Sequence, residues 1–197
     1  MIRVLDIILA GGAIIVFFPI MIAMCLILLA TQGYPIFYTQ ERIGKNGHPF
    51  SIIKFRTMKS QASHHPVKHA NKDDHRITPV GRVLRDINLD EIAQLWNVIC
   101  GDMSLVGPRP HAQAHDREFN EQIKNYHVRY KVKPGITGLA QVNGAHGPIK
   151  CQWDIVIRSR LDNFYVRRQS VCLYFYVLLL TSLMIVRVHR RAKPERR

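Results

Sequence analysis

The longest uninterrupted pattern in the chain is apolar: Ile7 to Ala30 carries no charged residue. About 20 such residues cross the hydrocarbon core of a bilayer, so the stretch predicts a membrane helix. Pro19 stands in its middle. There it removes a helical hydrogen bond, clashes with the preceding turn and disfavours helical geometry at Phe18. Two topologies follow: a kinked helix that spans, or one that bends at Phe18-Pro19 and returns to the face it entered. A cleavable signal peptide fits poorly, because the run is long and no small-residue cleavage site precedes Tyr34-Pro35. A second apolar run, Val171 to Val186, has only 16 residues, short for a crossing. Arg167 and Arg168 precede it, and Arg187, Arg190, Arg191, Lys193, Arg196 and Arg197 follow. Positive flanks stay cytoplasmic, so this run predicts an interfacial or core-packed helix with a basic tail on anionic membrane lipid. A short span is the alternative.

Between these runs the pattern shortens. Tyr34 to Gly44, the turn Lys45-Asn46-Gly47 and the stretch Phe50 to Met58 predict a small β-hairpin. Lys54 and Arg56, two residues apart, project from one face of such a strand. Charge alone there would guard a solvated edge. Ser60 to Asp74 is polar and irregular; His64, His65, His69 and His75 lie in or beside it, but their spacing matches no standard zinc pattern, and a loop is expected. From Leu89 to Ile99, Leu89, Ile92, Leu95, Trp96 and Ile99 form an apolar stripe at helical spacing. Asn88 is placed as its N-cap and Glu91 as the capping-box partner, with Cys100-Gly101 as the stop. A polar helix is expected over Asp116 to Tyr130. Lys133 to Gly144 holds three glycines and one proline, a tight loop whose backbone can approach a ligand closely.

The chemistry that stands out is Asp90-Glu91. In a first helical turn the exposed N–H groups favour negative charge, so both carboxylates are expected to stay ionised. Such a pair suits nucleophilic attack on phosphorus by one member and cation binding by the other. The plain alternative is that Glu91 caps the helix and Asp90 decorates it. The setting argues for chemistry: Arg82, Arg85 and Arg109 bracket the pair, and such cations would oppose a bound phosphate.

Composition narrows the partners. The chain has 197 residues, one domain's worth, with 28 Lys+Arg against 14 Asp+Glu and a net charge of +14. That excess implies a polyanionic partner: nucleic acid, an anionic membrane or phosphorylated substrates. No aromatic-basic recognition motif appears, and the dyad would repel a nucleic-acid backbone, so no nucleic-acid partner is expected. Cys25, Cys100, Cys151 and Cys172 show no C-x-x-C spacing and read as free thiols in a reducing compartment.

Asn88-Leu89-Asp90-Glu91 with Gln94-Leu95, then Gly101-Asp102-Met103-Ser104-Leu105-Val106-Gly107-Pro108-Arg109-Pro110, closely resembles the bacterial sugar transferases, the monotopic phosphoglycosyl transferases. Lys54-Phe55-Arg56-Thr57-Met58 and Pro134-Gly135-Ile136-Thr137-Gly138-Leu139-Ala140-Gln141 extend the likeness. The resemblance implies a re-entrant N-terminal helix, both ends cytoplasmic, and a UDP-sugar donor with undecaprenyl phosphate as acceptor. It implies that Asp90 attacks the donor's β-phosphorus, UMP leaves, and an aspartyl–phosphosugar intermediate passes to the lipid. Glu91, with Asp90, would ligate Mg²⁺; Lys54, Arg56, Arg82, Arg85 and Arg109 would meet phosphate or headgroups. Gly135, Gly138 and Gln141 would lie near the nucleotide or sugar. Departures occur at Ala145 to Ile149, where relatives transferring glucose or galactose phosphate carry an aromatic, an arginine and a G-E-T turn. Others are Ala93 for a frequent proline, and Tyr174 for an aspartate. These bear on sugar specificity.

The expected fold is α+β, mostly α. It is a monotopic membrane protein with a re-entrant helix-break-helix over 1–33, a small hairpin, amphipathic interfacial helices and a cytosol-facing catalytic unit over 34–197. The expected location is the cytoplasmic face of a bacterial inner membrane, in initiation of exopolysaccharide, capsule or O-antigen synthesis; a homodimer is compatible with the sequence. No large N-terminal domain precedes the apolar run, so regulation by one is expected from a separate chain. The competing reading is a catalytically inactive scaffold of a polysaccharide assembly complex.

Overall fold

The computed structural model describes residues 1–59, 74–147, 149 and 151–191, with side chains described as far as Met184. His64, His65 and His69, Pro148 and the basic tail beyond Arg191 lie outside the described residues, as do the side chains of Arg187, Arg190 and Arg191. The chain is mostly helical, as expected.

Helix α1 (Ile2–Gln32) is the apolar run, a single helical stretch with Pro19 inside it. At 1.5 Å per residue its 31 residues measure about 46 Å. Up to Ala30 its exposed side chains are apolar, among them Ile15, Val16 and Phe18 around the proline. Both flanks of the proline bear on the rest of the chain. Before it, Ala10, Ala13 and Ile14 pack with Ile52, Leu95 and Val98; after it, Met21, Met24 and Leu28 pack with Phe55, Leu84 and Ala93.

The hairpin forms as the sequence predicts: β1 (Phe37–Ile43) pairs antiparallel with β2 (Pro49–Phe55). Asn46 and Gly47 adopt the positive φ that the reversal needs. Strand β2 ends at Phe55, one residue short of Arg56, so the expected two-residue basic face is not formed within the strand. Helix α2 (Pro79–Asp86) starts on Thr78, whose hydroxyl accepts from Gly81 N at 3.0 Å.

The dyad segment departs from expectation. Asn88 takes left-handed geometry (φ 56°) and its side chain caps nothing. Leu89–Glu91 is a 3₁₀ turn, and α3 (Gln94–Cys100) begins only after it. The capping box is absent because Glu91 is drawn into ion pairs instead of back to Asn88. Trp96 is 57% exposed and leaves the predicted stripe, whereas Leu95 and Val98 enter the core. Gly101 ends α3 in left-handed geometry, as the sequence implied. Asn97 ties α3 to the hairpin: its side chain accepts from Ile53 N at 3.0 Å and donates to Ser51 O at 2.8 Å.

Strand β3 (Ser104–Val106) pairs in parallel with β4 (Gly135–Thr137). Between them, α4 (Gln113–Gln122) is shorter than predicted. Asn125, in left-handed geometry, separates it from a 3₁₀ segment, Tyr126–Lys131. Then come α5 (Leu139–Val142), α6 (Gln152–Arg167) and α7 (Val171–Arg191). Tyr174 and Val177 on α7 are fully buried against Val106, Leu139 and Tyr165, while Phe175, Tyr176, Leu179 and Leu183 face outwards. The second apolar run is therefore core-packed on one side. All four cysteines are free.

Candidate active site

Asp90 and Glu91 sit on the 3₁₀ turn where three basic side chains converge. Lys54, from the end of β2, places Nζ 2.6 Å from Glu91 Oε1. Arg109 grips the same carboxylate with both arms of its fork, Nη1 donating to Oε2 at 3.1 Å and Nη2 to Oε1. Arg85, from the last turn of α2, donates Nε to Thr57 Oγ1 at 2.8 Å and acts on Asp90 through its charge.

The two carboxyls respond in opposite directions. Burial pushes the Glu91 carboxyl up, but Arg109 and Lys54 outweigh it and hold the group well below the usual carboxylate range. Asp90, 7% exposed, goes the other way. Burial and the neighbouring Glu91 raise it above an ordinary aspartate, against the pull of Lys54, Arg85 and Arg109. Glu91 is thus a locked anion, and Asp90 a desolvated carboxylate with a raised affinity for its proton. Higher basicity in a dry setting makes a better nucleophile. Asp90 therefore takes up its proton at a higher pH than Glu91 does.

The loop bearing Arg109 is held through its carbonyls. Arg129 Nη2 donates to Arg109 O, Arg42 Nη1 to Pro110 O at 3.2 Å, and Tyr165 OH to Val106 O at 3.1 Å. Beneath it, Gly107 N donates to Thr137 O at 2.9 Å and Gly135 N to Pro108 O at 3.0 Å. A Cβ on Gly135 would lie 2.0 Å from Gly107 N, and one on Gly138 2.2 Å from Gly107 O. These glycines let backbone pack on backbone, which places the Gly-rich loop directly against the Arg109 loop.

Arg56 and Arg82 are not brought to the dyad. Arg56 is buried and donates Nη2 to Gln32 O and Gly33 O at 2.5 and 2.7 Å, holding the C-terminal end of α1. Arg82 is exposed on α2. The sequence also missed a buried polar cluster. Arg129 Nη1 reaches Tyr126 OH at 2.8 Å and His111 Nδ1 at 2.9 Å, Tyr126 OH donates to Asp116 Oδ1 at 2.9 Å, and Arg129 Nη2 pairs with Asp162 Oδ2 at 3.3 Å. No motif joins these residues, which come together only when 111–131 folds against α6.

Among the described residues no group of three His, Cys, Asp or Glu side chains is assembled. Mg²⁺ is commonly held by one or two carboxylates plus substrate phosphates; Glu91 already gives Oε1 to Lys54 and Arg109 and Oε2 to Arg109, so Asp90 is the open carboxylate and Glu91 would add only a remaining lone pair.

A profile of the family described as bacterial sugar transferase matches residues 1–188. The UDP-glucose:undecaprenyl-phosphate glucose-1-phosphate transferase of Caulobacter vibrioides is 45% identical over 91% of the chain and 67% of its own length. The protein of the same name in Klebsiella pneumoniae is 39% identical over 91% of the chain and 38% of its own length. A UDP-N-acetylgalactosamine-undecaprenyl-phosphate N-acetylgalactosaminephosphotransferase of Aeromonas hydrophila is 36% identical over 91% of the chain and 42% of its own length. The chain thus spans about two fifths of the Klebsiella and Aeromonas relatives.

Proposed function

The chain belongs to the bacterial sugar transferases, and from that premise we propose that it moves a sugar 1-phosphate from a UDP-sugar to undecaprenyl phosphate, releasing UMP. The observation that carries this reading is the desolvated Asp90 beside a Glu91 locked by Lys54 and Arg109. Asp90 attacks the β-phosphorus of the donor. A new P–O bond to the carboxylate forms, the bond to the α-phosphate oxygen breaks, and UMP leaves with the electron pair. An oxygen of the polyprenyl phosphate then attacks the aspartyl–phosphosugar, and Asp90 is released. Arg85 and Arg109 offset the charge of two anionic reactants, and the rigid loop under Arg109 keeps that charge in place without reorganisation. Mg²⁺, held by Glu91 and Asp90, would supply further neutralisation of the diphosphate.

The membrane part of the proposal is a re-entrant α1, with catalysis at the cytoplasmic face of an inner membrane. Two facts support it. Both flanks of Pro19 lean on the body that carries the dyad, while the apolar residues around the proline stay exposed. Trp153, Ile157 and Phe164 also form an exposed stripe on α6, with Arg160 and Arg167 in the same line. An apolar stripe with basic residues suits a helix lying at the headgroup boundary. A phosphate acceptor whose tail stays in lipid would meet the dyad at that depth.

The test is UMP release from several UDP-sugars by the full chain in bilayers, with and without undecaprenyl phosphate and Mg²⁺, beside Asp90→Asn. Release that needs the lipid and Asp90, with ping-pong kinetics, is expected. Folded protein that releases no UMP from any donor would refute the reading and favour a scaffold. A ternary-complex pattern would remove the covalent step.

A further inference from the structure

Behind Arg109 lies a cavity of about 50 Å³ that the chemistry above does not use. Its walls are Arg109, His111, Gln141, His146, Arg158 and Asp162, and its rim is small, with Ala145 and Gly147. Arg109 is common to this cavity and to the dyad, since its guanidinium also holds Glu91.

The polar atoms around it are unusually short of partners. Gln141 Nε2 is committed to Ile136 O at 3.0 Å, which leaves Oε1 buried and unpaired among the described residues. Asp162 uses Oδ2 on Arg129 and leaves Oδ1 buried and unpaired. Arg158 donates Nη2 to Gly147 O at 2.8 Å and leaves Nε buried and unpaired. His111 Nδ1 lies 2.9 Å from Arg129 Nη1 and 2.6 Å from Tyr126 OH, within the buried cluster. Gln141 and Asp162 are 8% and 2% exposed. Folded proteins rarely leave three buried polar atoms of one small site unpaired.

The pattern of need calls for a group that both donates and accepts. A phosphate carries only acceptors in its ionised form, and would face the Gln141 and Asp162 oxygens without a proton to offer. An apolar group would pair with none of the three. A hydroxyl both donates and accepts, so two hydroxyls can serve all three groups. A single water needs about 10–15 Å³ of such space, so the cavity admits a few hydroxyl-sized groups. We propose that this cavity takes ring hydroxyls of the donor's sugar, with Gln141 and Asp162 accepting and Arg158 donating. It thereby decides which sugar phosphate is transferred. The proposal rests on the transfer reaction proposed above. The reacting phosphate and the sugar edge then lie on either side of Arg109.

The test measures UMP release by the full chain in bilayers with undecaprenyl phosphate, from UDP-glucose, UDP-galactose, UDP-N-acetylglucosamine and UDP-N-acetylgalactosamine. Gln141→Met, Arg158→Gln and Asp162→Asn are compared with the wild type, and Kd for UMP alone is measured for each. The expected result is that the wild type's preference between its best and second donors, as a ratio of kcat/KM, falls about tenfold or more. The change should be carried mainly by KM for the favoured donor, with Kd for UMP within about twofold of wild type. If Asp162→Asn does not fold, the half-exposed Arg158 and the Gln141 variant still decide. Equal losses for all four donors would overturn the proposal, and a parallel weakening of UMP would assign the cavity to the nucleotide. A wild type that releases no UMP from any donor would instead sink the transfer reaction, and this proposal with it.

Discussion

Replacing Lys54 by methionine tests the charge lock on Glu91 while keeping most of the stem that packs beneath it. Nζ lies 2.6 Å from Glu91 Oε1, and the two side chains are 19% and 15% exposed. At that separation, with an effective dielectric of about 20, the gross attraction is about 6 kcal/mol, most of it cancelled by desolvation of the two ions. Lys54→Met leaves that desolvation behind on Glu91 alone. Removing one partner of a buried pair costs about 3–5 kcal/mol when the other is left uncompensated. Here the fork of Arg109 still holds both oxygens, so the loss is expected nearer that of one charge-assisted hydrogen bond, about 2–3 kcal/mol. For a chain of this size that lowers Tm by about 4–12 °C. Thermal unfolding of Lys54→Met, Glu91→Gln and the double variant in one bilayer system completes a cycle, with an expected coupling above about 1 kcal/mol. The carboxyl of Glu91 is depressed on folding, so its contribution is complete above the unfolded-chain value near about 4.3 and is lost as pH falls below it. The deficit of Lys54→Met should shrink in the same direction. Effects of the two substitutions that add to within about 0.5 kcal/mol would refute the lock.

Three other expectations concern other groups. The carboxyl of Asp90 is raised above an ordinary aspartate, so the acidic limb of kcat/KM should fall off at a pH above about 3.9, as the nucleophile takes up its proton. Lys54→Met removes a charge that opposes the shift, and should carry the limb further up. Gly135→Ala sets a methyl group 2.0 Å from Gly107 N and 2.4 Å from Thr137 O. Backbone cannot yield there, so a loss of about 3 kcal/mol or more is expected, whereas Gly12→Ala, with nothing within 4 Å, should be neutral or slightly stabilising; thermal unfolding of both separates the cases. Asp6→Ala strips the acceptor from Ser104 Oγ, Leu105 N and Tyr174 OH. It should cost about 3 kcal/mol or more, against about 1 kcal/mol for Tyr174→Phe; equal Tm losses for the two would contradict the shared-acceptor account.

Local signals in the sequence were the ones that carried through to the fold. The apolar run of α1, the Asn46-Gly47 reversal and the stop at Gly101 each depend on a few adjacent residues. Lys54 and Arg109, two cations of the motifs, meet at Glu91 of the dyad. What failed did so where a distant partner competes with a local one. Glu91 has the spacing of a capping residue, but two cations from β2 and the Arg109 loop bind it more strongly than the Asn88 amide could. Arg56 stands beside Lys54 in the motif, yet β2 ends before it and the free carbonyls of α1 claim it. The cluster of His111, Tyr126, Arg129 and Asp162 had no local signature, because its members are separated by up to half a hundred residues and meet only across α6. Tyr174, a departure from the family's aspartate, is buried and donates its phenol to Asp6 Oδ1 at 2.8 Å.

That Asp6 carboxylate also bears on how the dyad would meet a lipid substrate. Its Oδ1 takes Ser104 Oγ and Leu105 N at 2.9 Å each, fixing α1 to the strand that leads into Gly107 and Arg109. Three residues earlier, Arg3 donates Nη2 to Ile99 O at 2.8 Å and Nη1 to Val98 O at 2.5 Å, at the end of the helix that follows the dyad. Arg56 makes the corresponding attachment at the other end of α1. A helix tied at both ends to the segments before and after the active site cannot shift in the bilayer without carrying that site with it. In the re-entrant arrangement proposed here, the depth of α1 therefore sets the height of Asp90 above the acyl chains. A loosened Asp6 attachment would then reduce turnover of the lipid acceptor before it affected binding of the soluble donor. Comparing KM for undecaprenyl phosphate with Kd for UMP in Asp6→Asn reads that difference: a selective rise in the former is expected, and an equal change in both would break the link between anchoring and acceptor access.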